Sequence, residues 1–159
     1  MKREMRRQER EITDKEMILD ILNRSQIVHL GLVDEGEPYV VPMNYGYVMD
    51  DKLTLYLHSA KDGYKLDILR KNPKVCFEME CDVQQSPGTV ACQYGTLFKS
   101  VIGRGKAEIV EDVQEKKKAL SILMKTQTGK DFEFNEQMAS AVSVIKITAD
   151  EYTAKARLQ

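Results

Sequence analysis

A mostly β fold, a small barrel with a few peripheral helices, is what this sequence predicts. Two stretches carry the strand period. Leu53, Leu55 and Leu57 alternate with Thr54, Tyr56 and His58, and Val75, Phe77, Met79 and Cys81 alternate with Cys76, Glu78, Glu80 and Asp82. A third observation concerns closure. Leu97–Glu111 is long for one strand, and Gly103-Arg104-Gly105 inside it marks the bend or bulge that a small barrel needs. The 159 residues suit one domain, and no repeat, low-complexity tract or linker divides them.

The chain opens on a basic segment, Met1–Arg10, with five Lys/Arg against two Glu. Such a segment reads as a flexible tail or a partner-contacting arm. Thr13 and Glu16 have the spacing of a capping box, and Met17, Ile18, Ile21 and Leu22 give one apolar helical face. A helix is therefore expected over Asp14–Arg24. Ile27–Val33 reads as a strand and Asp34-Glu35-Gly36 as the turn into a second strand over Tyr39–Met49. On that second strand Tyr39, Val41, Met43, Tyr45 and Tyr47 share one face; Val40, Pro42, Asn44 and Gly46 share the other. Pro42 has no N–H to give to a ladder, so it belongs on an edge, at a bulge or where pairing is interrupted. Asp50-Asp51 then turns the chain into the Leu53–His58 strand.

The period changes after that strand. Tyr64, Leu66, Ile68 and Leu69 fit a short helix, with Asp62 as N-cap and Asn72-Pro73 as its stop. The next strand starts at Lys74-Val75. It carries Cys76 and Cys81 an odd number of residues apart, hence on opposite faces. Gln84–Gly95 is expected as a loop. Gln114–Lys125 reads as a helix with Ala119, Leu120, Leu123 and Met124 inward, and Thr126–Lys130 ends it. Phe132 and Phe134 anchor the connection, Asn135–Ala141 forms another short helix, and Val142–Ile147 with Tyr152–Lys155 supplies closing strands.

Several function classes fall away. Charged residues make up 31% of the chain but the formal net charge is −1, so no bulk attraction to nucleic acid is expected. No apolar run is long enough to span a membrane, and no signal-peptide hydrophobic segment is present. Cys76, Cys81 and Cys92 are an odd number without framework spacing, which fits a reduced cytoplasm. With His29 and His58 they form no CxxC or HxxxH pattern, so no metal site is expected. His29 reads as structural. There is no G-x-S-x-G nucleophile elbow and no dinucleotide-binding G-x-G-x-x-G.

One junction carries chemistry. Where the Leu53–His58 strand meets the following helix stand Ser59, Lys61 and Lys65, a hydroxyl and two ammonium groups beside the free amides of a helix N-terminus. That combination suits a phosphate; the same spacing also fits a solvated turn with surface lysines. The segment His58–Val75, H-S-A-K-x-G-x-K-L-x-x-L-R-x-N-P-x-V, resembles the phosphate-binding segment of the flavin mononucleotide (FMN) split-barrel family, to which pyridoxamine 5'-phosphate oxidase belongs. The resemblance is closer to the nitroimidazole-resistance (Nim) branch. It rests on REITD at Arg10–Asp14, EPYVVPMNYGY at Glu37–Tyr47 and SVIGRGKAEIVED at Ser100–Asp112. These segments occur in the family's order and span nearly the whole chain.

The resemblance implies an FMN-binding split barrel that works as a homodimer with the flavin at the interface. Ser59, Lys61 and Lys65 would hold the phosphate. Val41, Pro42, Met43 and Asn44 would lie along the ring, with Tyr56 and His58 beside it and His58 as the catalytic candidate. Lys99, Ser100, Val101 and Ile102 would approach from the second protomer. The implied function is FMN-dependent reduction of a small organic molecule, nitro-aromatics included, with a nicotinamide dinucleotide or another reductant as electron donor. Two departures from the oxidase pattern argue against vitamin B6 oxidation. Ala60 stands where the oxidase often has an arginine, and its C-terminal substrate-binding segment has no counterpart before Gln159. The alternative is a flavin- or haem-binding carrier or sensor without turnover, with His29 or His58 as an axial ligand, since haem-handling relatives share the fold. A third reading is an interaction domain that has lost its cofactor.

Overall fold

Tyr39–Met49, expected as a single strand, is broken at Tyr45, and that break shapes the molecule. The computed structural model describes residues 3–159, so Met1 and Lys2 of the expected arm lie outside the described residues. In chain order the elements are β1 (Glu11–Ile12), α1 (Lys15–Arg24), β2 (Ile27–Asp34), β3 (Glu37–Asn44), β4 (Gly46–Met49) and β5 (Leu53–Ser59). Then come α2 (Tyr64–Lys71), β6 (Lys74–Ser86), β7 (Gly95–Val110), α3 (Val113–Thr128), α4 (Glu136–Ser140) and β8 (Ser143–Arg157).

The strands form one antiparallel sheet in the order β3-β2-β6-β7-β8-β5-β4, with β1 added against β8. β3 and β4 are thus its two edges, yet one residue separates them in sequence. Two residues of chain reach no more than about 7 Å. The sheet has therefore rolled until its edges meet, as a barrel whose seam lacks ladder hydrogen bonds. Pro42 sits on the β3 edge, where its missing N–H breaks no ladder. Tyr45, at the crossing, is fully buried and its hydroxyl donates to the Leu22 carbonyl of α1. Gly46 follows because α3 passes too close for a side chain: a Cβ there would stand 2.4 Å from the Leu123 Cα.

Local chemistry accounts for the other boundaries. The α1 cap is Asp14 rather than Thr13; the Asp14 carboxylate accepts from the Met17 amide at 3.0 Å. Glu35 and Gly36 both have positive φ, which closes the tight β2–β3 hairpin. The strand expected to end near Asp82 continues to Ser86, because a bulge with Asp82 at φ 54° lets pairing with β7 resume at Gln84. Only a short connection is then left of the expected Gln84–Gly95 loop. The bend expected at Gly103-Arg104-Gly105 is a register shift between Arg104 and Gly105 against β8. Gly105 is required there, since a Cβ would meet the Thr148 carbonyl oxygen at 2.1 Å. The two closing strands are one, β8. Gly129, in the left-handed conformation, stops α3. Phe134 packs in the connection that follows while Phe132 stays exposed.

The core inside the barrel is built from inward strand residues such as Leu30, Leu55, Phe77 and Ile147, closed off by Ile21 and Leu22 of α1. A second apolar cluster lies outside the wall, where α3 and α4 cover Tyr56, Val110 and Val144. Cys76 is exposed and Cys81 buried, on opposite faces as the spacing required. No helix among the described residues is long and apolar enough to cross a membrane.

Candidate functional site

β5 points Leu55 and Leu57 into the barrel and Tyr56 and His58 outward. Tyr56 is covered by α3, whereas His58, one step further out, is exposed. Ser59 is buried at the strand's end, and its hydroxyl donates to the Ala60 carbonyl at 2.9 Å. α2 begins at Tyr64 with Gly63 in the cap position and no side chain bonded there, so the expected Asp62 cap is not made. The first helical amide with an acceptor is that of Asp67, 3.2 Å from the Gly63 carbonyl. The amides of Tyr64, Lys65 and Leu66 have no acceptor, and Lys61 and Lys65 make no ion pair, among the described residues.

A further cation belongs to this corner. Lys116 of α3 is 7% exposed and has no carboxylate partner among the described residues. Burial, and after it the nearby Lys61 ammonium, pulls its pKa down, against a weaker upward pull from Glu111. The sequence carried a signal for it. Lys116, Ala119, Leu120 and Leu123 have the i, i+3, i+4, i+7 spacing of one buried helical face. A lysine on such a stripe is hidden from any search for charged surfaces.

Register sorts the remaining candidates. Pro42 is opposite His29, His29 opposite Glu78, and Glu78 opposite Ile102. In a neighbouring row Asn44 is opposite Ile27 and Glu80 opposite Ser100. Cross-strand partners share a face, so these side chains lie on the outside of the wall. Met43 points into the core, Val41 is half-buried and packs against the core, and Pro42 and Asn44 are exposed. β3 meets β5 across the seam, which brings Pro42 and Asn44 towards His58. On β7, Ser100 and Ile102 face outward. Val101 is fully buried, and the Lys99 ammonium is committed to Asp82 at 3.2 Å and Asp20 at 3.7 Å beside α1. Lys99 and Val101 therefore do not share the face of Ser100 and Ile102. Ile102 stands three strands from Pro42, about 14 Å around the wall at roughly 4.8 Å per strand. The wall is convex, so the exposed side chains of Pro42 and Asn44 turn away from Ile102 of the same chain.

His29, expected as structural, sits between two carboxylates, 3.0 Å from Glu78 and 3.4 Å from Glu80. Burial first, then a hydrogen bond with Glu80, pushes the Glu78 carboxyl up to about 7, against the downward pull of His29. The Glu78-x-Glu80 spacing was visible in the sequence; its pairing with His29 needed the β2–β6 register.

A family model described as pyridoxamine 5'-phosphate oxidase matches residues 14–156. The chain is similar to a crystal structure of a candidate 5-nitroimidazole antibiotic resistance protein from Bacteroides thetaiotaomicron VPI-5482. The two are 37% identical with a TM-score of 0.79, over 92% of this chain and 86% of that one. An FAD and haem binding protein from Mycobacterium smegmatis is 17% identical with a TM-score of 0.81, over 94% of this chain and 74% of that one, which establishes a shared fold. General stress protein 26 of Bacillus subtilis (strain 168) is 24% identical over 102 residues, 64% of this chain and 65% of that relative's length.

Proposed function

Because the chain belongs to the pyridoxamine 5'-phosphate oxidase family, we propose that it is an FMN-dependent reductase of small organic molecules, nitro-aromatics among them, acting as a homodimer. The observation that carries this reading is the junction of β5 and α2. There the amides of Tyr64, Lys65 and Leu66 have no acceptor, and Lys61 and Lys65 no ion pair, among the described residues, next to the strand end that carries Ser59. A phosphate is the group such donors fit, because each charge-assisted hydrogen bond stabilises it by roughly 1.5–3 kcal/mol. Lys116 belongs to the same cradle: its pKa is lowered first by burial and then by the Lys61 ammonium, and a phosphate between the two cations would offset both.

When bound, the flavin supplies the electron transfer between a nicotinamide or other donor and the substrate. The chain's residues do the rest. Pro42 and Asn44 offer a flat, exposed edge for the ring. His58 projects beside it and holds a proton on its imidazole for the substrate. Ser100 and Ile102 of a second copy close the other side, because the convex wall keeps this chain's own pair out of reach.

The test is the absorption spectrum of the purified protein. Flavin gives two bands in the blue and near ultraviolet, and haem an intense Soret band. Under anaerobic conditions a nicotinamide donor should bleach the flavin bands and a nitroimidazole should restore them. A colourless protein that gains no bands with added FMN, or a Soret band alone, would contradict the proposal.

A further inference from the structure

β2 and β6 run antiparallel with His29 directly opposite Glu78, and Glu80, two residues on, projects from the same face. His29 Nδ1 is 3.0 Å from a Glu78 oxygen and 3.4 Å from a Glu80 oxygen, and the donor atoms of the three residues all lie within 4.8 Å of one another. We propose that these three side chains form a binding site for a first-row divalent cation of the zinc class on the outer face of the barrel.

The spacing is the first reason. An ion with tetrahedral bonds of about 2.1 Å holds neighbouring donor atoms about 3.4 Å apart. The imidazole already stands at that separation from Glu80 and close to it from Glu78, so no strand has to move. Rigidity is the second. All three residues sit on paired strands rather than loops, so the ladder fixes their backbone positions on one face. Charge is the third. Neither glutamate has a lysine or arginine within ion-pair distance among the described residues, so His29 alone faces two carboxylates.

The donor set selects the ion. An imidazole nitrogen with carboxylate oxygens suits zinc and its first-row neighbours, whereas Mg²⁺ prefers six oxygens and keeps its waters. Three protein donors leave a fourth position open on the outer face of the wall. Cys76 lies on the same face of β6 and is exposed, but it is not among the converging donors. The three donors lie in the outer rows between Pro42 and Ile102, so the site shares the face that the proposed flavin and second copy would cover.

Equilibrium dialysis of the chelator-treated full chain against Zn²⁺, with Mg²⁺ in parallel, tests it. A single Zn²⁺ per chain should bind, well ahead of Mg²⁺. Since even the outer-shell partners of a metal are worth about tenfold to a hundredfold in affinity, His29→Gln and Glu78→Gln should each weaken Zn²⁺ by at least that much. Cys76→Ser should leave it unchanged. Circular dichroism verifies that each variant is folded, and Glu80→Gln, a one-atom change, replaces any that is not. Zn²⁺ no tighter than Mg²⁺, equal binding in all variants, or loss in Cys76→Ser would overturn the proposal; in those cases the cluster is an ion pair only.

Discussion

Asn44 and Gly46 lie on opposite edges of one sheet although a single residue separates them in the chain. Everything on the seam side of the barrel depends on how Tyr45 makes that crossing. Its ring fills the core, its hydroxyl donates to Leu22, and its carbonyl accepts from the Gln127 amide at 2.8 Å. The crossing is thereby tied to both α1 and α3.

Substitutions at the crossing should separate two effects. Tyr45→Phe keeps the ring and loses one buried hydrogen bond, which should cost about 0.5–1.5 kcal/mol in denaturant unfolding. Gly46→Ala forces a Cβ into the Leu123 backbone and should cost more, about 1–3 kcal/mol, because a helix has to move. Equal midpoints for the two variants would mean that α3 does not press on Gly46.

Lys116→Met should weaken FMN binding by about tenfold, the worth of one charge-assisted contact. Without flavin the variant should be at least as stable as the parent. The sign follows from the lowered pKa: an ammonium disfavoured in the folded state carries a penalty below its folded pKa that fades as pH rises towards the ordinary 10.5. Thermal unfolding at rising pH should therefore bring parent and variant together. A flavin-free variant less stable than the parent would make Lys116 a packing residue.

The alternation on β7 gives a prediction about assembly. Ile102→Glu, at an exposed position, should abolish dimerisation and flavin binding together in sedimentation velocity. Lys99→Met, one pleat away and engaged with Asp82, should leave both intact. Retention of flavin by a monomeric Ile102→Glu chain would remove the shared site.

His58→Ala should slow re-oxidation of the reduced flavin by a nitroimidazole more than tenfold, a step of general-acid size, while FMN affinity changes less than about threefold. Equal losses in both would assign His58 to cofactor holding.

Much of the fold was legible because alternation is a local property. The strands at Leu53–His58 and Val75–Cys81 and the helix ending at Arg24 were readable from periods of two and 3.6, and the Gly103–Gly105 bend from its paired glycines in an over-long strand. The break at Tyr45 was not, since Tyr39–Met49 keeps its alternation straight through the crossing, and only pairing reveals that its halves belong to different edges. The extension of β6 past Asp82 was hidden for a related reason: a bulge shifts the period by one and mimics a strand's end. At the site, Ser59, Lys61 and Lys65 were visible as neighbours in sequence. Lys116 and the His29–Glu78–Glu80 cluster come from elements far apart in the chain, so a helix stripe and a strand register had to be known first.

The central claim is that the β5–α2 corner holds the phosphate of FMN. Isothermal titration of FMN and riboflavin, which share a ring and differ in the phosphate, tests it most directly in the parent, Lys61→Ala and Lys74→Ala. Lys61→Ala should weaken FMN by about tenfold to a hundredfold and barely change the already weaker riboflavin. Added salt should narrow the FMN difference because Lys61 is exposed. Lys74, beyond the Asn72-Pro73 stop, should behave as the parent with both ligands. Equal weakening of FMN and riboflavin by Lys61→Ala, or an equal effect from Lys74→Ala, would contradict the phosphate assignment.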